Sequence, residues 1–499
     1  MIETIFAYLP ANIILIILLG LIFILGLRFL FSIKKTEWII YGLLVWFPFE
    51  SLILRYAPID YYAYVKYISE IMLYSLVFAA WFHYMAKTKR ILPENPLTKW
   101  LVLYIGIAFI SLVINIYNPF VWILGLRQVL RFGLVFFVIL FCAYEKNILK
   151  KFLHLGIAMI LFQVFLGLIQ YMAGGRLDAY LFSTNIVNIG NSAVLGGLEQ
   201  FWTPGTRIFA TMGRYDRLGS FIALGLIMLL PWMYVLKNKT QQYWYWSAYA
   251  VGVLALVLTY SRASWLAFFA GVVTIGIALM KDKRIIIGLS IFTVVMIGYI
   301  GAFMLVKENI SSIVETPNQS VPERVLEAVS LRGWQESYEG YGRIFFIINT
   351  PRMVVRYHPF FGVGPGNYGG GVAAALLNTD AYDRLKLPFG IQNIYGQIDN
   401  SWWSIWGEVG TLGLITFVGL FATIVRMGLF VKSRVKDKYA QALGTGLVGL
   451  VIGISVMGFF GPYFEFRTLM FYFWLIVGIV MVYWREEKAK GDLLGEKWK

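Results

Sequence analysis

Apolar positions along this chain come in long, nearly unbroken runs, without the alternation or the 3.6-residue stripe that marks an element half-buried on a soluble core. The runs fall at roughly 10–32, 37–54, 68–86, 100–117, 122–144, 152–172, 216–236, 244–260, 264–280, 285–306, 402–431, 439–460 and 468–484. Most have about the 17 to 25 residues that a helix needs to cross a hydrocarbon core of about 30 Å. The pattern predicts an all-α polytopic membrane protein with about 12–13 transmembrane helices. The first run is too long for a signal peptide and has no basic segment before it or small-residue cleavage site after it, so it is expected to be a retained span.

Two segments break the pattern. Residues 173–215 form a polar loop within the N-terminal block of spans, 1–306. Residues 307–400 form a larger loop domain, expected to hold short helices at about 322–338 and 341–357, the latter interrupted near Pro351 because proline removes a helical hydrogen bond. Residues 401–499 then supply about three more spans and a basic tail. No heptads, low-complexity tract or internal repeat is visible.

Basic residues recur in alternate connections, among them "KTKR" at 87–90, "KDKR" at 281–284 and "KSRVKDK" at 432–438. The positive-inside rule puts those on the cytoplasmic side, so 173–215 and 307–400 are expected outside. Composition agrees with a membrane protein: 59% of residues are hydrophobic and only 14% charged. The net charge of +16 is spread over short connections, where helix orientation and anionic lipid account for it, so nucleic acid is not expected as a partner. A single cysteine, Cys142, allows no intrachain disulfide.

Ionisable groups within or at the ends of spans are costly and are therefore candidates for function. Arg127, Arg131, Arg207, Arg214, Arg217, Arg262 in "TYSRASW" and Arg343 in "YGRIFF" make an outward-facing collection of guanidinium groups, suited to bidentate phosphate binding. Arginine at a span end also snorkels to headgroups without further function. The glycine-rich "HPFFGVGPGNYGGG" at 358–371 lacks the context of a nucleotide loop and reads as tight turns with close backbone approach. His358 is either a base or a structural helix-end residue. In "IDNSWWSIWGEVGTLGL", Asp399 and Asn400 precede a span that carries Glu408, read as a buried hydrogen-bonding group, with an arginine as one candidate partner, in preference to a direct catalytic role. Gly407, Gly410 and Gly413 suit close helix packing, and Trp402, Trp403 and Trp406 suit an interfacial belt.

The succession "SRASW", "YGRIFF", "HPFFGVGPGNYG" and "DNSWWSIWGEVGTLGL", over roughly residues 200–420, resembles the O-antigen ligase and O-antigen polymerase superfamily. The resemblance implies a bacterial inner-membrane glycosyltransferase, its site facing the periplasm. It would move glycan from an undecaprenyl-pyrophosphate carrier to an acceptor hydroxyl without metal, nucleotide or other cofactor. Arg262 and Arg343 match the two arginines of the family's ligases. Asp399 stands where ligases tend to read histidine, which favours a polymerase or exopolysaccharide-type member over a ligase for lipid A core or protein. Catalysis is thus expected from Asp399, Arg262 and Arg343, with Asp399 as base or as an orienting acceptor. Substrate binding is expected from Arg127, Arg207, Arg214, Arg217, His358, Asn400 and Glu408. Expected partners are the lipid-linked donor, a glycan or lipid-linked acceptor, membrane lipids and a chain-length regulator. A lipid-linked-glycan flippase is the competing class, disfavoured by the lack of repeats and by polar features crowded at one face.

Overall fold

The computed structural model describes residues 36–181, 186–189, 192–195, 205–306 and 319–493. The expected first span, 10–32, lies outside the described residues, as do most of 182–204, 307–318 and the end of the tail.

The long helices are α1 (Glu37–Tyr56), α2 (Tyr62–Thr88), α3 (Thr98–Asn115), α4 (Pro119–Leu130), α5 (Gly133–Cys142), α6 (Lys146–Met172), α7 (Tyr215–Met233), α8 (Lys239–Leu258), α9 (Arg262–Val273), α10 (Lys283–Val306), α16 (Ser401–Arg434), α17 (Lys438–Met457) and α18 (Arg467–Leu493). Between α10 and α16 lie the short helices α11 (Val321–Val329), α12 (Leu331–Glu339), α13 (Arg343–Asn349), α14 (Gly371–Ala375) and α15 (Asp380–Leu385). Among the described residues, ten helices are long and apolar enough to cross a membrane, or eleven if the bent pair α4–α5 counts as one. This is an all-α polytopic membrane protein. One short antiparallel hairpin, Ile186–Ile189 with Ser192–Leu195, departs from the helical plan.

Polar caps set several helix starts. Asn118, Asn238, Asn400 and Asp437 each accept a backbone N–H of the first turn, and Pro119 follows Asn118 where its missing N–H costs nothing. The bundle centres on α7, 89% buried over its apolar window, with α17 and α18 at 78% each; α10, at 6%, lies at the rim. Glu94, Asn95 and Pro96 before α3 and the charged end of α18 line one cavity at one end of the bundle. The functional candidates gather at the other.

Three elements differ from the sequence expectation, and a fourth follows it. The run 122–144 is not one helix: α4 and α5 meet at 65°, breaking beside Arg131. The run 244–260 is helical from Lys239, but its "KTQQ" start keeps it out of the apolar set. The helix expected at 322–338 is two, because Ser330 is extended and its hydroxyl caps α12 through Gly333 N–H. Near Pro351 the chain after α13 widens into a π-type turn, Thr350–Val355, so the interruption falls where expected.

Candidate active site

The first layer of the site is a buried ion network. Glu70 on α2, 2% exposed, accepts Arg127 Nε at 2.9 Å and Arg131 Nη1 at 2.9 Å, and lies 3.3 Å from Arg467 Nη2. Glu50 on α1 takes the Ser69 hydroxyl at 3.1 Å and pairs with Arg467 Nε at 3.0 Å. Buried charges survive only when matched and hydrogen-bonded, and here two carboxylates hold three guanidiniums. Arg127 is thereby committed to Glu70. Neither glutamate stood out in the sequence, since each lies on a separate apolar helix and only packing brings them to the arginines.

Above this layer Arg214 forms a two-point pair with Asp216, at 3.1 and 2.9 Å. Arg207, 3% exposed, stacks over Tyr215 at 4.6 Å. The Arg217 guanidinium has the Ser51 hydroxyl 3.3 Å from Nη1 and the Phe466 ring 5.9 Å from its carbon, and it faces the cavity described below.

Arg343, the first residue of α13, reaches across 56 residues of sequence to Asp399, with Nη2 3.5 Å from Oδ2 and Nε 3.3 Å from the Asp399 carbonyl. Arg262, the first residue of α9, pairs instead with Glu327 on α11 at 2.9 Å; Arg324, 3.1 Å from the other Glu327 oxygen, completes that cluster. Asn400 is 1% exposed and its Oδ1 caps α16 through Trp403 N–H, a structural role.

Glu408 does not serve an arginine among the described residues. Its Oε1 accepts the Gly366 N–H at 2.9 Å and its carbonyl the Gly364 N–H at 2.8 Å. The glycine loop 358–371 threads into a break in α16 at Gly410, where φ is +68°. Val363 N–H donates to the Gly407 carbonyl, while Thr411 and Leu412 N–H donate to the carbonyls of Pro359 and Phe360. The loop thus satisfies the backbone groups that the break would orphan. Gly364 needs its φ of +102° and has Tyr117 against it, 2.4 Å from where a Cβ would stand. Gly407 and Gly410 of "GEVGTLG" therefore serve the loop seat and the helix break, while Gly413 lies against Val409. His358 closes the helical segment before the loop through its backbone, and burial together with the Arg384 charge pushes its imidazole below the ordinary value. Trp402 is 7% exposed and bonds the Ser455 carbonyl, while the half-buried Trp403 bonds the Ile347 carbonyl and the half-buried Trp406 the Thr411 hydroxyl.

Glu465, between α17 and α18, also went unmarked in the sequence, although its place between two spans in "YFEFR" was a signal. Its Oε2 accepts from Gln128 Nε2 and, at 3.1 Å, from Gly371 N–H. Burial raises its carboxyl to about 7 against the opposing pull of those two donors and of Arg131.

Two cavities open onto these groups. A polar one of about 240 Å³ is lined by Glu50, Gln128, Arg131, Arg214, Arg217, Glu465 and Arg467. An apolar groove of about 770 Å³ runs between α8, α9 and α10, with Arg262 and α11 at one end and Arg284 at the other. Among the described residues, no three His, Cys, Asp or Glu side chains are grouped to hold a metal ion.

A helical membrane protein with arginines, carboxylates and an apolar groove at one end of its bundle is the class defined so far. Residues 247–418 match the family model described as O-Antigen ligase, which supports a likeness of this segment to the O-antigen ligase and polymerase superfamily. Arg262, Arg343, His358, Asp399, Asn400 and Glu408 lie within it; Arg127, Arg207, Arg214 and Arg217 lie before it. The match supports a transferase of ligase or polymerase type. No curated protein matches the chain.

Proposed function

We propose that this protein transfers glycan from an undecaprenyl-pyrophosphate donor to an acceptor sugar hydroxyl at the periplasmic face of a bacterial inner membrane, as a polymerase rather than a ligase. The observation that carries the reading is the apolar groove that ends at Arg262, at the same end of the bundle as the Arg343–Asp399 pair. An amphiphile with a long apolar tail and an anionic head fits that combination. Outside the membrane no nucleotide sugar drives transfer, so the energy must come from the bond already carried by the lipid.

Attack at the anomeric carbon expels a pyrophosphate whose growing charge needs fixed cations in a site of low dielectric. Arg262 and Arg343 take that role, with Arg217 as the guanidinium least committed to a carboxylate. Asp399 holds Arg343 by side chain and carbonyl together, which fixes the fork that a phosphate would meet. The preference for polymerase rests on Asp399 standing where ligases tend to carry histidine.

The test is purified protein in liposomes with undecaprenyl-pyrophosphate-linked oligosaccharide alone, then with lipid A core added. Chain growth from donor alone is expected. Transfer only onto lipid A core would make the protein a ligase, and movement of donor between leaflets without transfer would make it a flippase.

A further inference from the structure

The polar cavity has a carboxylate on its wall with one oxygen committed and the other open. Gln128 and Gly371 hold Glu465 Oε2, while Oε1 has no hydrogen-bond partner among the described residues. A group held at one oxygen keeps its orientation and still offers an acceptor. The cavity, at about 240 Å³, has room for about eight waters at ~30 Å³ each, the scale of one sugar ring and not of an oligosaccharide. Its wall carries Arg131, Arg214, Arg217, Gln128 and Gln397, donors in number for ring hydroxyls.

We propose that this cavity is the acceptor subsite, taking the terminal pyranose of the acceptor glycan with its attacking hydroxyl on Glu465 Oε1, and that Glu465 takes up that hydroxyl's proton. This rests on the transferase reading above. The acceptor oxygen bonds to the donor's anomeric carbon, the bond from that carbon to the pyrophosphate oxygen breaks with its electron pair leaving on the pyrophosphate, and the proton passes to the Glu465 carboxylate. It returns to water once the product leaves.

Asp399 is less suited to the task, being already matched by Arg343. Glu465 is raised to about 7 by burial, near the value at which a general base works best around neutral pH. The charges facing it come from every side: Arg131 with Glu70 behind it, Arg467 with Glu50, Arg214 with Asp216 at the start of α7, Arg217 on α7, and Glu408 across Gly370. The cations outnumber the ionised carboxylates and keep the anionic form within reach.

The experiment measures chain growth by the full-length protein in liposomes, with undecaprenyl-pyrophosphate-linked oligosaccharide, as a function of pH. For the wild type, kcat should rise with pH through about 7. Glu465→Gln should lower kcat by about 10²-fold to 10⁴-fold, leave donor KM unchanged and abolish that limb. Asp399→Asn should retain the limb. Gln397→Trp, which fills the cavity from the loop side, should raise the KM for acceptor. A Glu465→Gln protein with near-wild-type kcat and an unchanged limb overturns the proposal while the transferase reading stands. If that variant does not fold, unchanged acceptor KM in Gln397→Trp overturns it instead. A wild type without transfer at any pH overturns both.

Discussion

Arg343 and Asp399 stand 56 residues apart in sequence, yet two contacts join them: a guanidinium nitrogen 3.5 Å from the carboxylate, and Nε 3.3 Å from the carbonyl of the same residue. Their side chains are 31% and 41% exposed, so the pair contributes little to stability, about 0–1 kcal/mol. Its value lies in the direction it gives to Arg343. Arg343→Lys keeps the charge but loses the fork and should lower kcat/KM more than about tenfold. Asp399→Asn should raise donor KM and leave a smaller defect at saturating donor. Kinetics on both variants and on the double variant would check this, with a coupling energy expected between neighbours.

Gly288 faces the apolar groove, and nothing lies within 4 Å of the place a Cβ would take. Gly288→Leu should therefore fold, with stability unchanged or slightly raised through helix propensity. The added side chain would occupy space that the proposed donor's lipid tail takes. Donor KM should rise severalfold with kcat nearly unchanged, while truncated short-prenyl donors should be affected less.

The glycine loop predicts a different kind of failure. Gly364→Ala would place a methyl group 2.4 Å from the Tyr117 ring at a φ of +102°, and Gly410→Ala would meet the Phe360 backbone at φ +68°. Each should cost more than about 2 kcal/mol through strain and overlap. Thermal unfolding in detergent should show a clearly lower Tm for both, in contrast to Gly288→Leu.

Burial of Glu465 also sets a pH dependence of stability. Its folded value of about 7 lies above the ordinary 4.5, so between those values the native state holds a proton that the unfolded chain releases. Stability from this group is thus present below about pH 4.5 and lost as pH rises toward 7, by at most about 3 kcal/mol. Glu465→Gln removes the dependence. Its Tm relative to wild type should be higher at pH 8 than at pH 5.

Sidedness is checked by cysteine labelling in a Cys142→Ser background. A cysteine replacing Asn378 should react with an impermeant reagent in intact cells, and one replacing Lys436 only after the cells are opened. The reverse result would turn the site toward the cytoplasm.

Run length made the spans legible, because lipid imposes a length on every helix that crosses it. The break between α4 and α5 was not, since 122–144 reads as one apolar run in which Arg127, Gln128 and Arg131 were the sole warning. For the site, the sequence named Arg262, Arg343 and Asp399 together through a resemblance and gathered the arginines by position. It missed Glu50, Glu70, Glu327 and Glu465, whose meaning depends on which helix each faces. Glu408 was foreseen as a buried hydrogen-bonding residue but with the wrong partner, because backbone N–H groups leave no mark in a sequence.

The loop at 358–371 leaves the ribosome before the seat it occupies. Its links to Gly407, Glu408, Thr411 and Leu412 form only once the first turns of α16 have been delivered to the bilayer. Until then four backbone groups on either side are open to water, and the half-built site has no floor. Assembly of the reaction centre is therefore a closing event in the maturation of the chain, and residues 319–400 expressed on their own would lack the helix that gives the loop its shape.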